Sequence, residues 1–340
     1  MNKNIFFGYY GYDNFGDDVM LMVLDAISED NSLIFTSSPV KNKLSLKSEE
    51  FVFKSFHRDL FSLIIKNKRI IWGGGTCFYS NNRNLFMLLL VSLYSFLLRK
   101  RIVFFSVGVG KLNTKLDKII LKMVIYLSKK VFVRDDSSYR KLRLFSKNKI
   151  AKVSDLFLLA RSELNLNNQN KSNSSILFNL SSDCVQNISS TLFLRYIEDL
   201  ERQTGLAVRF ISLQNVESSP ENSFYSEHKS VCDPRLIEVN NIQNIYSEII
   251  SCKLFIGFRL HGLIPALLNN CKVLAYPYSP KVSRMLKELL CNGESITLQM
   301  GALPDIQTIM SALSSDVVFN KPFQSEVKKT RMLLDEIINK

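Results

Sequence analysis

Short, continuously apolar runs that alternate with helical patterns constrain this chain more than any other feature. In the first half the runs IFFGYY (5–10), SLIFTS (32–37), RIIWGGG (69–75), RIVFFSVGVG (101–110) and KVFVRD (130–135) read as strands. Helical patterns fill the gaps near 17–28, 58–67, 84–98, 114–128 and 136–146. Strands that alternate with helices build βαβ units around a parallel sheet. Cores such as IIW and IVFF show no polar alternation, as a sheet covered on both faces requires.

The polar stretch RSELNLNNQNKSNSS (161–175) interrupts the pattern and reads as a linker. Alternation resumes with SILFNLSS (175–182), a helix near 188–203, LAVRFISLQ (206–214) and RLIEVN (235–240). A helix near 242–251, LFIGF (254–258) and KVLAYPY (272–278) follow, and a charged amphipathic helix over 322–339 ends the chain. At 340 residues the chain is long for one core. The expected class is α/β, with two Rossmann-like domains, 1–160 and 174–340, facing a cleft. The last helix is placed to cross back to the first domain.

The net charge of +13 calls for an anionic partner: nucleic acid, a membrane face, or a phosphorylated or acidic substrate. No helix-turn-helix, zinc-finger or RNP-type signature appears, and lysines and arginines are spread along the chain. Nucleic acid is therefore set aside. Six scattered cysteines without a C-x-x-C pair suit reduced thiols in a cytoplasmic protein. The N-terminus, MNKNIFFGYYGYDNFGDD, lacks a secretory signal pattern, so the sequons at Asn173, Asn179 and Asn187 carry no glycan. LFMLLLVSLYSFLL (85–98), followed by Arg99, Lys100 and Arg101, falls short of the roughly 20 residues that span a bilayer. It reads either as a buried core helix or as a membrane-docking helix with a basic flank. The expected location is the cytoplasm, with peripheral contact at the inner membrane face.

Ligands of open α/β sheets sit beyond the carboxyl ends of strands, so residues there hold the functional information. After the first strand, GYYGYDNFGDD (8–18) sets three glycines, Asn14, Asp17 and Asp18 ahead of a helix. It reads as an anion-accepting turn or as a tight turn with Asp17 as helix cap. Three consecutive glycines centred on Gly74 imply close backbone approach. Arg134 in VRDDSSY is either an anion clamp or part of a surface arrangement with Asp135. Arg259 and His261 follow LFIGF directly, inside an apolar run. A buried cation needs an anionic partner or a cleft, so this pair is the strongest candidate. Lys281 is a third cation on the same rim or an exposed helix-start lysine. His57 and His228 lie in polar surroundings and read as solvated. There is no metal-ligand cluster and no G-x-S-x-G nucleophile.

Taken in order, GYYGYDNFGDD, GGGT, FSVGVG, VRDDSSY, SDLFLL and GFRLHGLIPALLNNCKVLAYPYSPK resemble the polysaccharide pyruvyl transferase family, from about residue 5 to 290. The resemblance implies a glycosyltransferase-B-like fold. It implies transfer of the enolpyruvyl unit of phosphoenolpyruvate onto two hydroxyls of a sugar, in a cell-surface polysaccharide or its lipid-linked precursor. By matching motif, Arg134, Arg259 and His261 hold phosphoenolpyruvate, and Asn14, Asp17 and Asp18 face the acceptor. The chemistry suits these residues: a carboxylate plus a phosphate asks for at least two cations, His261 can give a proton, and Asp17 can take one. No metal and no cofactor beyond phosphoenolpyruvate as donor is expected. Two other classes fit the same residues, a nucleotide-sugar-dependent glycosyltransferase of this fold and a non-catalytic glycan-binding protein.

Overall fold

The computed structural model describes residues 3–339 except 29–31, 37, 41–43, 54–55, 68, 81, 165, 167–173, 215, 217–218, 238–240, 290–296 and 316–321. The chain forms two compact units. One comprises Met1–Tyr12, Asp17–Asn165 and Gln324–Lys340; the other comprises Asp13–Gly16 and Leu166–Phe323.

The first unit begins with β1 (Asn4–Phe7), α1 (Phe15–Ile27), β2 (Leu33–Thr36), β3 (Glu49–Val52) and α2 (Phe56–Lys66). It continues with β4 (Arg69–Gly73), β5 (Thr76–Phe78), α3 (Asn82–Leu97), β6 (Val103–Val109) and α4 (Lys115–Leu127). It ends with β7 (Lys130–Val133), α5 (Asp136–Arg143), β8 (Ile150–Lys152) and the short α6 (Ala160–Glu163). All strand pairs are parallel, in the order β3-β2-β1-β4-β6-β7-β8, with β5 paired to β6. The order reverses between β1 and β4, which makes that crevice the topological switch point. β1, β2 and β6 are buried along their whole length, which explains their unbroken apolar runs. One core face joins Phe7, Trp72, Phe104 and Val131 to Leu63 of α2, Leu88 of α3, Val124 of α4 and Leu142 of α5. Helices α2 to α5 therefore cover a single face of this sheet.

The second unit holds β9 (Ser175–Asn179), α7 (Ser190–Thr204), β10 (Ala207–Phe210), α8 (Pro220–Glu227), α9 (Lys229–Cys232) and α10 (Ile242–Ser251). Then come β11 (Leu254–Gly257), α11 (Leu260–Leu268), β12 (Lys272–Ala275), α12 (Pro280–Leu289) and α13 (Ile306–Ser314). Its parallel sheet runs β10-β9-β11-β12, with the reversal between β9 and β11. The α/β class with two parallel sheets is as expected.

Two segments group away from their neighbours in sequence, residues 13–16 and the closing helix. Residues 13–16 group with the second unit because Phe15 N donates to Leu213 O at 3.0 Å and Asn14 bridges Gln214. The closing helix α14 (Pro322–Asn339) packs on the first unit, where Asn4 Nδ2 donates to Ile338 O at 2.9 Å and Thr330 Oγ1 accepts from Ser154 N at 2.8 Å. Most of the 161–175 linker lies outside the described residues.

Some expectations need correction. β3 has an exposed–intermediate–exposed pattern, so a search for apolar runs passes over it. RLIEVN forms no strand within its described part: a 3₁₀ turn occupies Asp233–Arg235, and Leu236 makes one isolated bridge to Phe210. His228 is buried rather than solvated, its ring tilted against Phe224 with centroids 4.7 Å apart and its Nδ1 3.0 Å from Ser190 Oγ. Asn179, read only as an idle sequon, is fully buried. Helix α3 buries Leu85, Leu88 and Val91 as a core helix does, yet leaves Phe86, Leu93 and Leu97 exposed. Among the described residues no helix is long and apolar enough to cross a membrane. The described cysteines form no disulfide; Cys291 lies outside them.

Candidate functional site

Both switch points carry the loops singled out in the sequence. In the first unit, buried Tyr10 follows β1 and its hydroxyl donates to Gly73 O at 2.8 Å. Gly74 and Gly75 turn the chain with φ of +70° and +73°, a conformation that side-chain-bearing residues rarely adopt. A Cβ at Gly74 would also meet Met20 Sδ of α1 at 2.4 Å. The glycine run thus lets the end of β4 close against α1. Asp17 and Asp18 occupy the first turn of α1, half-buried, and Asp17 Oδ1 lies 3.4 Å from where a Gly75 Cβ would stand. Tyr9 holds Tyr79 and Asn84 through its hydroxyl at 2.8 and 2.9 Å, and burial raises its phenol well above the ordinary range.

Arg134 sits beneath this turn. Its Nη1 donates to Asp155 Oδ2 at 2.6 Å and its Nη2 to Thr76 Oγ1 at 3.0 Å. Arg134 is 2% exposed and Asp155 is 0% exposed. This corrects the expectation of a clamp open to a ligand. A fully buried guanidinium needs a compensating anion, and Asp155 is that anion.

The second unit gathers five separate stretches. Glu221 of α8 is fully buried and accepts from Asn179 Nδ2 at 2.9 Å, Leu213 N at 2.6 Å, Ser212 Oγ at 3.2 Å and Arg259 Nε. Arg259 follows β11 as the cap of α11, and its Nη2 donates to Gln214 Oε1 at 2.5 Å. Its side chain keeps 18% of its surface open, and Nη1 makes no hydrogen bond among the described residues. The guanidinium is thus gripped along one edge and presented along the other. His261 is the second residue of α11. A Cβ on Gly16 would fall 1.7 Å from His261 Nδ1, so the glycine is what allows the ring to lie against the 13–16 segment. Asn14 shapes that segment by accepting from Gly16 N at 3.1 Å.

This arrangement can hold a small anion. It offers one edge of an oriented guanidinium, a histidine ring and the first turn of a helix at a switch point. Among the described residues no cluster of His, Cys, Asp and Glu is suited to a metal ion.

The model of the family described as Polysaccharide pyruvyl transferase matches residues 14–280, a span that includes all these stretches. The chain belongs to the polysaccharide pyruvyl transferase family. A search of curated proteins finds no match. Among solved structures, this family member is similar to UDP-GlcNAc 2-epimerase from Methanocaldococcus jannaschii, with TM-score 0.66 and 12% identity over 98% of this chain and 99% of that one. UDP-GlcNAc 2-epimerase from Neisseria meningitidis bound to UDP-GlcNAc gives TM-score 0.58 and 11% identity over 100% and 94%. Anabaena HepE in complex with UDP gives 0.51 and 10% over 99% and 93%. At such identities the likeness is one of fold, and it is glycosyltransferase-B-like.

Of the residues expected from sequence, the second unit brings Asn14, Arg259 and His261 together. The first unit brings Asp17 and Gly74 to its switch point, with Asp18 in the same helical turn. Lys281 lies in the first turn of α12, its side chain outside the described residues. The sequence reading missed Glu221 and Gln214 in the second unit and Asp155 in the first; it took Asn179 only as a sequon and Gly16 only as one of three loop glycines. SDLFLL contained Asp155 in plain view as a capping acid: its Oδ1 accepts from Phe157 N at 3.0 Å. For Glu221 no local signal exists, since its partners are 8 to 42 residues away.

Proposed function

We propose that this pyruvyl transferase family member moves the pyruvyl unit of phosphoenolpyruvate onto two hydroxyls of a saccharide, free or lipid-linked, forming a ketal and releasing phosphate. The observation that carries this is Arg259: a guanidinium fixed by buried Glu221 and Gln214, open along its other edge, next to His261. Its open edge suits the carboxylate or phosphate of phosphoenolpyruvate. His261 gives a proton to the methylene carbon, which becomes the methyl group. A sugar hydroxyl adds to the resulting oxocarbenium carbon, phosphate leaves with its oxygen and a proton, and the second hydroxyl closes the ketal. No metal is needed where cations already face the leaving group.

The resemblance gives Asn14, Asp18 and Gly74 to the acceptor and makes Asp17, directly after Gly16 in the chain, the base for the hydroxyl. Lys281 serves as a further cation. Arg134 acts through Thr76 and the glycine turn rather than on the donor. The test is phosphate release from phosphoenolpyruvate with a panel of saccharide acceptors. Acceptor-dependent release, with a pyruvate ketal seen by mass spectrometry, supports this reading. Consumption of a nucleotide sugar with phosphoenolpyruvate inert would overturn it in favour of a glycosyltransferase. Tight glycan binding without turnover of either donor would overturn it in favour of a lectin-like role.

A further inference from the structure

The solvent side of the α2–α4 layer is unlike the rest of the protein. Among the described residues sixteen large apolar side chains are exposed, and nine of them lie on these three helices. On α4 they recur at i, i+3, i+7 and i+10: Leu116, Ile119, Met123 and Tyr126, exposed by 61%, 56%, 47% and 71%. That spacing makes one stripe along the helix. Lys115, Lys118, Lys122 and Lys129, all exposed, run beside it. On α3, Phe86, Leu93 and Leu97 form a second exposed stripe, and Arg99 and Arg101 follow its end. Phe61 of α2 joins the layer, edge-on to Tyr94 of α3 with centroids 5.6 Å apart.

The charge is as one-sided as the apolar surface. Residues 82–130 contain ten lysines and arginines against a single acid, Asp117. Asp117 is buried, capping α4 through Thr114 N at 2.9 Å and accepting from Ser80 Oγ at 2.5 Å. No carboxylate of this stretch therefore faces outward. Phe96, Leu97, Arg99, Arg101 and Lys129 line an open depression of about 650 Å³. Its size and three cations suit a phosphate headgroup with the start of its chain.

We propose that the α2–α4 face of the first unit docks on an anionic lipid surface, with the apolar stripes entering the interface and the lysines and arginines meeting phosphates. Charge complementarity selects this occupant. A protein partner would leave so many like charges needing matched acids, whereas an anionic bilayer supplies phosphate wherever a lysine falls. Neither stripe can span the membrane, so the attachment is peripheral and reversible.

The test is co-sedimentation of the full chain with vesicles of phosphatidylcholine, with and without phosphatidylglycerol, over a salt series. Binding is expected to the anionic vesicles alone, fading with salt as the Debye length shrinks. Lys118→Glu/Lys122→Glu should weaken partition at least about tenfold, since each cation near such a surface contributes roughly fivefold. Ile119→Ser/Met123→Ser should weaken it comparably while leaving the melting temperature unchanged, because these side chains are exposed. Lys229→Glu/Lys253→Glu alters net charge equally, on exposed residues of the second unit, and should leave binding intact. Three outcomes overturn the proposal: no binding at low salt, equal weakening by the second-unit control, or an Ile119→Ser/Met123→Ser protein that changes oligomeric state while vesicle binding is absent throughout. The last would assign the face to a second copy.

Discussion

Arg134 and Arg259 hold comparable places in the two units. Each follows a parallel strand within two residues, each precedes a helix, and each is bonded to a buried carboxylate. Their surroundings make them different devices. Arg134 is engaged from both sides, by Asp155 and Thr76, and water does not reach it. Arg259 is held at Nε and Nη2 and open at Nη1. A guanidinium engaged from both sides stiffens a fold; one gripped on one edge alone retains donors for a ligand. The same residue type, at the same kind of position, thus divides into structure and recognition by where its second partner lies.

The largest effect that would break this contrast is on stability. Arg134→Met should destabilise the first unit by about 3–5 kcal/mol, because Asp155 is left charged in the interior. Arg134→Met/Asp155→Leu should recover most of that loss. Trp72, the sole tryptophan, is buried in β4 and reports urea unfolding of this unit by fluorescence. If Arg134→Met kept wild-type stability and lost phosphoenolpyruvate binding, the two arginines would be alike and the contrast false.

Next comes Arg259→Lys. A point charge cannot reproduce a fork held on Glu221 and Gln214 while reaching a ligand. Loss of a charge-assisted contact of roughly 2–4 kcal/mol predicts turnover or donor affinity down about 30- to 1000-fold. The Trp72 transition should not move. A conservative lysine with full activity would remove Arg259 from the site.

A third and smaller effect tests the link between the 13–16 segment and His261. Gly16→Ala puts a methyl within 1.7 Å of His261 Nδ1, so ring or backbone must shift. Overpacking of this kind costs about 1–3 kcal/mol. Activity should fall about tenfold or more with the far-ultraviolet circular dichroism preserved. Unchanged activity would mean that the position of the ring is immaterial.

What the sequence disclosed follows from the reach of each signal. Strand ends and the R-L-H stretch are local, so Arg259 and His261 stood out without coordinates. Whether an arginine is open or closed depends on its partner: Asp155 is 21 residues from Arg134, and Glu221 is 38 from Arg259. No spacing rule connects such pairs. Residues 13–16 continue the first strand's loop in sequence, yet their backbone pairs with Leu213 and Gln214, so contiguity pointed to the wrong unit. β3 was hidden by its charges, since an edge strand need not be apolar. His228 was hidden by polar neighbours in sequence that are not its neighbours in space.

His228 also supplies the smallest and most selective prediction, one that separates the two units by pH. Burial lowers its pKa below the ordinary 6.5, partly offset by nearby Glu227. The unfolded chain therefore binds a proton more readily than the folded second unit, and stability falls as pH drops below about 6.5. In the first unit Asp117 is shifted in the same direction but titrates at a much lower pH. The Ser80 hydroxyl and then the Thr114 backbone N–H hold Asp117 below its usual 3.8. That contribution is intact above pH 3.8 and is lost only as pH falls through the lowered value. Urea midpoints followed by circular dichroism should thus begin to fall near pH 6, while the Trp72 midpoint holds down to the carboxylate range. His228→Phe keeps the tilted and edge-on ring contacts with Phe224 and Phe193, 4.7 and 5.3 Å away in the native packing, and removes the titrating group. It should flatten the circular-dichroism slope between pH 5 and 6.5 by an amount small beside the other effects, and leave the Trp72 curve where it was. A slope that survives His228→Phe would place the mild-acid sensitivity elsewhere in the molecule.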